Sequence, residues 1–115
     1  IKRKNFSVGF YTILLCINKL YNTIKSRRGE NSKVSYTAQL FEKGLQGMAQ
    51  KIGEESTEVI IAALQQTKAQ VVSESADLLF HLMVLWAERD IIPDDVFKEL
   101  GDRAGTSGLE EKNLR

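Results

Sequence analysis

Apolar residues recur along this chain at steps of three and four, a spacing that places them on one side of an α-helix. Ile17, Tyr21 and Ile24 follow this spacing in a segment that we expect to be helical from about residue 10 to 28. No segment alternates strictly between apolar and polar residues, and Pro93 is the only proline. The pattern therefore predicts an all-α protein.

Ser35 and two glycines mark the limits of a shorter helix. The Ser35 side chain is placed to cap a helix that continues to about Lys43. Gly44 and Gly47 then loosen the chain before the next helical pattern begins.

Two long helices are predicted next, over about residues 48–66 and 69–89, with a polar turn near Thr67 between them. Because the turn is short, these helices should form an antiparallel hairpin. Pro93 suits the first position of a last short helix, which we expect to end at Gly101.

The 115 residues suffice for one domain with one core. We divide them into an N-terminal segment of uncertain extent (1–19), an all-α domain (20–101) and a Gly-, Ser- and charge-rich tail (102–115) expected to be flexible. Long amphipathic helices in so short a chain leave apolar faces uncovered. We therefore expect an antiparallel helical bundle that homo-oligomerisation completes.

The charge and composition of the chain limit the kinds of partner that it is expected to bind. Lys and Arg number 16 against 15 Asp and Glu, and they are scattered, so no nucleic-acid surface is predicted. The lone Cys16 cannot form an intrachain disulfide, which favours a cytoplasmic location. Residues 8–17 are apolar after a basic start, but they lack a small-residue cleavage site and are shorter than the ~20 residues that span a bilayer. No membrane partner is expected.

Acidic residues occur on both long helices where the pattern calls for apolar ones. Glu55 shares a helix face with Ile52 and Val59, and Glu74 shares one with Leu78, at ~100° per residue. Both acids should therefore face the interior of the bundle.

Each of these acids is followed three positions later by another, Glu58 and Asp77, so that each helix carries two carboxylates one turn apart. Antiparallel packing would let the four converge, and burying them without a positive charge is unfavourable. A hard divalent cation such as Mg²⁺ or Mn²⁺ prefers oxygen ligands and is the expected counterion. The alternative is that they are ordinary solvated charges or salt-bridge partners.

The single histidine, His81, lies one turn after Asp77. A di-iron carboxylate bundle would need a Glu-x-x-His motif, which this sequence lacks. We expect His81 to be a hydrogen-bonded core residue rather than a metal ligand.

Four blocks of sequence follow one another in order: LYNTIKSR (20–27), SYTAQLFEKG (35–44), QKIGEESTE (50–58) and ESADLLFHL (74–82). With these blocks the chain strongly resembles the phosphoribosyl-ATP pyrophosphohydrolase family of the all-α nucleoside-triphosphate pyrophosphohydrolases. The resemblance covers about residues 20–100, and linked motifs are more specific than any acidic pair.

The resemblance implies hydrolysis of phosphoribosyl-ATP to phosphoribosyl-AMP and pyrophosphate, the second step of histidine biosynthesis, in a homodimer or larger homo-oligomer. Water would attack with the help of one or two Mg²⁺ ions, or Mn²⁺ in their place. The implied metal ligands are Glu55, Glu58, Glu74 and Asp77.

The resemblance also suggests roles for the neighbouring residues. Glu55 and Glu58 count as catalytic with Glu54, which acts from outside the ligand set or as the base that positions water. Lys43 and Lys51 are candidate phosphate contacts. Residues Tyr36 and Thr37 are expected to line the nucleotide or ribose pocket. The plainer interpretations are solvated lysines and a helix-capping segment.

Two rival functions stay open on the sequence alone. One is a house-cleaning hydrolase of non-standard nucleoside triphosphates, which would share the acids but not the SYTA and FEKG context. The other is a helical interaction module without catalysis, in which the acids serve solubility or partner choice.

Overall fold

The computed structural model describes residues 2–104, with side chains from residue 12 onward. Four helices follow one another: α1 (Lys2–Ser26), α2 (Tyr36–Gln65), α3 (Lys68–Glu88) and α4 (Pro93–Arg103). No strand occurs between residues 2 and 104. The prediction of an all-α protein is confirmed.

Two helix limits were predicted wrongly. Helix α1 begins at Lys2 instead of residue 10, because its basic and polar first turns carry no apolar stripe from which a pattern could locate the start. Helix α4 continues past Gly101 to Arg103. Its last turn is supported by Arg103, whose Nε lies 3.1 Å from a carboxylate oxygen of Glu99. The tail from residue 105 lies outside the described residues.

Helix α2 is interrupted near its start, as the sequence predicted. Ser35 caps it by accepting a hydrogen bond from the backbone N of Ala38 at 3.1 Å. Gly44 then adopts φ 75° and ψ −173°, a conformation outside the helical region. The short helix therefore ends at Lys43, and Gly47 belongs to the long helix that follows.

The long part of α2 and α3 form the predicted antiparallel hairpin, and they are the most extensively packed pair of helices. Thr67 begins α3 with a capping box: its hydroxyl accepts from the Gln70 backbone N, and the Gln70 side chain accepts from the Thr67 backbone N. Residues 63–70, at the far end of this hairpin, are all exposed.

The core lies at the opposite end of the hairpin, where α1 and the short first part of α2 pack against the second half of α3. Its buried members are Tyr21, Ile24, Leu40, Met48, Met83, Val84, Trp86 and Ala87. Arg28 joins these elements, because its guanidinium donates to the Ala87 carbonyl at 3.0 Å and stacks over the Phe41 ring. The acidic positions of α2 and α3 therefore lie between a packed core and an exposed hairpin end.

Membrane insertion finds no support in the described helices, since none of them combines enough length with enough apolar character to cross a bilayer.

The Gly44 conformation predicts a selective effect on stability. Gly44→Ala should lower the free energy of unfolding by about 1–3 kcal/mol, because this backbone region is nearly closed to residues with a Cβ. Gly53→Ala is the matched control, since Gly53 is helical with open space around its Cα. That change should raise stability by about 0.5–1 kcal/mol. Urea unfolding measures both, and a Gly44→Ala protein as stable as the parent would contradict the prediction.

Candidate metal centre

Three acidic side chains converge between α2 and α3. Glu55, Glu74 and Asp77 each offer a carboxylate oxygen, and these oxygens all lie within 4.8 Å of one another. Two ligands on opposite sides of one Mg²⁺ ion are about 4.2 Å apart. Small side-chain adjustments would therefore bring all three oxygens onto a single cation.

The helix pattern explains why these acids face one another. Around Glu55, Met48 and Ala62 are buried and Ile52 and Val59 are half-buried, as the predicted stripe requires. The Glu55 side chain itself is only 13% exposed.

The cluster is sheltered on one side and open on the other. Glu74 is half-buried like Glu55, whereas Asp77 is exposed. A cation in this position would keep coordination sites open to water and to phosphate oxygens.

Glu74 is the member of the cluster whose pKa is raised by the other carboxylates. Partial burial is the main cause that raises the pKa of Glu74, and the negative charges of Asp77, Glu58 and Glu55 raise it further. A set of oxygen donors whose own charges oppose one another suits a hard divalent cation. The residues present therefore fit the predicted metal.

Glu58 and Glu54 lie outside this group of three carboxylates. Glu58 is exposed one turn beyond Glu55, yet its charge acts on Glu74. Glu54 is 54% exposed and borders the neighbouring groove. The structure thus brings together three of the four carboxylates that the sequence suggested as ligands, with Glu58 close by.

Lys51 connects the cluster to its surroundings. Its Nζ lies 3.4 Å from Glu55 Oε1 and 3.5 Å from Glu54 Oε2. Negative charge on the Tyr36 oxygen is the largest cause of the raised pKa of Lys51. Glu55 and Glu54 raise this pKa further, whereas burial of Lys51 lowers it. Glu54 and Glu55, to which the sequence assigned different roles, therefore both contact one ammonium group.

An open groove of about 430 Å³ runs along α2 beside the cluster. Its lining residues are Lys43, Gln46, Gly47, Gln50, Lys51 and Glu54. Both candidate phosphate contacts thus share one groove. Gly47 lets the Lys43 side chain pack closely against the backbone of α2, because a Cβ there would lie 2.6 Å from the Lys43 Cβ. Thr37 is half-buried in the first turn of α2 and does not line the groove.

His81 is a buried, hydrogen-bonded core residue, as predicted. Its Nδ1 lies 2.7 Å from the Asp77 carbonyl oxygen, and its Nε2 lies 2.9 Å from the Tyr36 hydroxyl. The contact with Tyr36 could not be predicted from the sequence, because the two residues are 45 positions apart and belong to different helices.

The helical hairpin brings carboxylates together beside a groove that contains lysines. These features define the class of the protein, a helical one suited to bind a divalent cation and a phosphorylated ligand. The sequence profile of the phosphoribosyl-ATP pyrophosphohydrolase family matches residues 17–104. The chain belongs to this family, and the resemblance seen in the sequence motifs is confirmed.

Individual relatives agree with the family match. The phosphoribosyl-ATP pyrophosphatase of Azospirillum brasilense is 50% identical over 99 residues, which cover 86% of this chain and 89% of the relative. The protein of the same name from Rhodospirillum rubrum is 52% identical over 99 residues, covering 86% and 85%. That of Gluconobacter oxydans is 43% identical over 101 residues, covering 88% and 76%.

The raised pKa of Glu74 predicts how stability changes with pH in metal-free buffer. Ionising Glu74 is unfavourable in the folded protein, so its contribution to stability is present below the unfolded-state pKa and is lost as pH rises through the higher folded-state pKa. Glu74→Gln stays neutral, so the excess of its Tm over that of the parent should grow as pH rises from about 4 and should level off once Glu74 is fully ionised.

Glu42→Gln is the matched control, because Glu42 is exposed in the short first part of α2, outside the cluster. Its Tm difference from the parent should stay nearly constant across this pH range. Parallel Tm curves for Glu74→Gln and the parent would show that the carboxylates do not repel one another.

Proposed function

We propose that this chain hydrolyses phosphoribosyl-ATP to phosphoribosyl-AMP and pyrophosphate in histidine biosynthesis, as a metal-dependent enzyme of the cytoplasm. The observation that carries the proposal is the family match over residues 17–104, together with a carboxylate cluster beside a groove with two lysines. The relatives that match most of the chain are phosphoribosyl-ATP pyrophosphatases.

The proposed cofactor is Mg²⁺, with Mn²⁺ as a substitute. Glu55, Glu74 and Asp77 would hold the ion, and Glu58 is a further candidate ligand because it lies close enough to act on Glu74. When bound, the ion would offset negative charge on the phosphate oxygens and lower the pKa of a coordinated water.

The two lysines of the groove are proposed to bind the phosphate chain. Lys51 already contacts Glu55, so a phosphate that it binds lies next to the carboxylate cluster. Lys43 lines the same groove from the other side of the break at Gly44. A polyphosphate lying along this face of α2 can contact both ammonium groups, which places its anhydride bonds near the acids.

The hydrolysis breaks the anhydride between the α and β phosphates. A water oxygen bonds to phosphorus, the bridging oxygen leaves with the other phosphate, and a carboxylate takes the proton of the water. Glu54 is the proposed acceptor, because it borders the groove beside Glu55 and is 54% exposed to solvent.

The nucleoside end of the substrate is proposed to lie near the start of α2. Tyr36 is half-exposed there, and its ring stacks on Phe80 at a centroid distance of 6.5 Å. Thr37 follows it in the same turn. This segment, SYTA, distinguishes the chain from the house-cleaning alternative.

A turnover assay tests this proposal. Pyrophosphate release should be fast with phosphoribosyl-ATP and slow with ATP and modified nucleoside triphosphates. Glu55→Gln and Asp77→Asn should lower kcat roughly 100-fold or more with the fold retained, because each removes charge that the transition state needs. Glu42→Gln should keep parental activity. Equal turnover of all triphosphates would favour a house-cleaning enzyme, and no turnover at all would favour a non-catalytic module.

We also propose that two copies form a homodimer through the exposed half of the hairpin. Ile60, Leu64 and Val72 are 57%, 78% and 63% exposed there, an apolar surface that a second copy would cover. Covering it would complete the helical bundle that the sequence led us to expect.

Sedimentation equilibrium should then give a mass near twice the 13.0 kDa of one chain. Leu64→Glu should shift the protein toward the monomer, because it places a charge in the apolar interface. Val34→Glu is the control, since Val34 is 82% exposed in the loop before α2. A monomeric parent protein, or a Leu64→Glu variant with the parental mass, would contradict the dimer.

A further inference from the structure

His81 is the only histidine of the chain, and it is buried. The reaction outlined above gives it no role. It nevertheless joins two parts of the site, since it touches the backbone of Asp77 on α3 and the hydroxyl of Tyr36 at the start of α2.

The direction of these two hydrogen bonds follows from their partners. The Asp77 carbonyl oxygen can only accept, so His81 Nδ1 carries the proton that lies between them at 2.7 Å. In the neutral ring Nε2 then has only a lone pair. The Tyr36 hydroxyl therefore donates its proton to Nε2 across 2.9 Å.

The Tyr36 oxygen can therefore only accept a further hydrogen bond. Its proton points inward to His81, so only lone pairs face outward, and Tyr36 is 47% exposed. The ring cannot turn freely, because it stacks on Phe80 and meets the His81 ring edge-on at 5.9 Å. The His81 ring joins this oxygen to the backbone of Asp77, so the oxygen lies near one member of the carboxylate cluster.

We propose that His81 is a positioning residue, which holds the Tyr36 proton so that the phenol oxygen accepts a hydrogen bond from a ribose hydroxyl of the substrate. The inference rests on the proposed function. It adds the atom that accepts the hydrogen bond from the substrate and the direction of that bond. Without His81, the Tyr36 hydroxyl would rotate and could donate as well as accept, so the preference for a donor on the substrate would weaken.

A mutant cycle tests the inference. Tyr36→Phe should raise the KM for phosphoribosyl-ATP roughly five- to tenfold and His81→Leu by a smaller factor, with kcat changed by no more than about twofold in either. The double variant should be no worse than Tyr36→Phe alone, because His81 acts only through the Tyr36 hydroxyl. His81→Gln should restore most of the affinity, since its amide oxygen can accept the Tyr36 proton.

Tyr21→Phe is the matched control. The Tyr21 hydroxyl donates to the Ile91 carbonyl at 2.6 Å, a comparable bond between α1 and the turn before α4. Its loss should lower Tm and leave KM unchanged. The two tyrosine variants thus separate a role in the site from a role in stability.

Substrate analogues identify the hydroxyl. With phosphoribosyl-2′-deoxyATP, Tyr36→Phe should no longer raise KM if the contact is with the 2′-hydroxyl of the ATP half. An undiminished rise would assign the contact to another ribose hydroxyl of the substrate.

Other results would overturn the inference. Additive effects of Tyr36→Phe and His81→Leu on KM, or a lower Tm with unchanged KM, would reduce His81 to a structural residue. If the His81→Leu variant does not fold, a parental KM for Tyr36→Phe would be sufficient to reject the inference. An inactive parent protein would contradict the proposed function instead, and calorimetric affinities of the same variants for phosphoribosyl-ATP would then decide the inference by the same pattern.

Discussion

Repulsion between carboxylates that share a half-buried space is the constraint on which the rest of this structure depends. Glu55, Glu74 and Asp77 come within 4.8 Å of one another, where water screens their charges less well than at an open surface. Lys51 offsets part of this charge through Glu55. The remaining repulsion, which adds to the effect of partial burial in raising the pKa of Glu74, is what a divalent cation would relieve.

The fold supplies a fixed distance between these acids. Packing of α2 on α3 sets the separation of their facing stripes, and the capping box at Thr67 fixes where α3 begins. The break at Gly44 then redirects the chain, so that the short first helix places Tyr36 against His81 while the long helix carries most of the groove. His81 connects these parts through hydrogen bonds at both ring nitrogens.

Local patterns in the sequence were enough to predict the helices, the hairpin and the break at Gly44, since apolar spacing, caps and glycine act over a few residues. The inward placement of Glu55 and Glu74 followed from the same spacing. The same spacing did not predict that Asp77 would join the cluster and that Glu58 would lie outside it. Each lies about 60° around its helix from the preceding acid, and which one turns toward the partner helix depends on how the two helices pack.

Contacts between distant segments were also beyond the sequence pattern. Nothing in the order of residues pairs Tyr36 with His81, because the loop and the kink that bring them together have no repeating signal. The link from Lys51 to Glu55 is different: it spans one helical turn and could have been predicted from spacing alone. Long-range geometry, more than local structure, is therefore what the coordinates add to the account of the site.

Calorimetric titration with Mn²⁺ measures cation binding to the carboxylate cluster without relying on substrate or turnover. We expect saturable binding to the parent chain at neutral pH, with release of protons, and strongly weakened binding to Asp77→Asn. Absence of binding to the parent, or equal affinity in the two proteins, would contradict cation binding at the cluster.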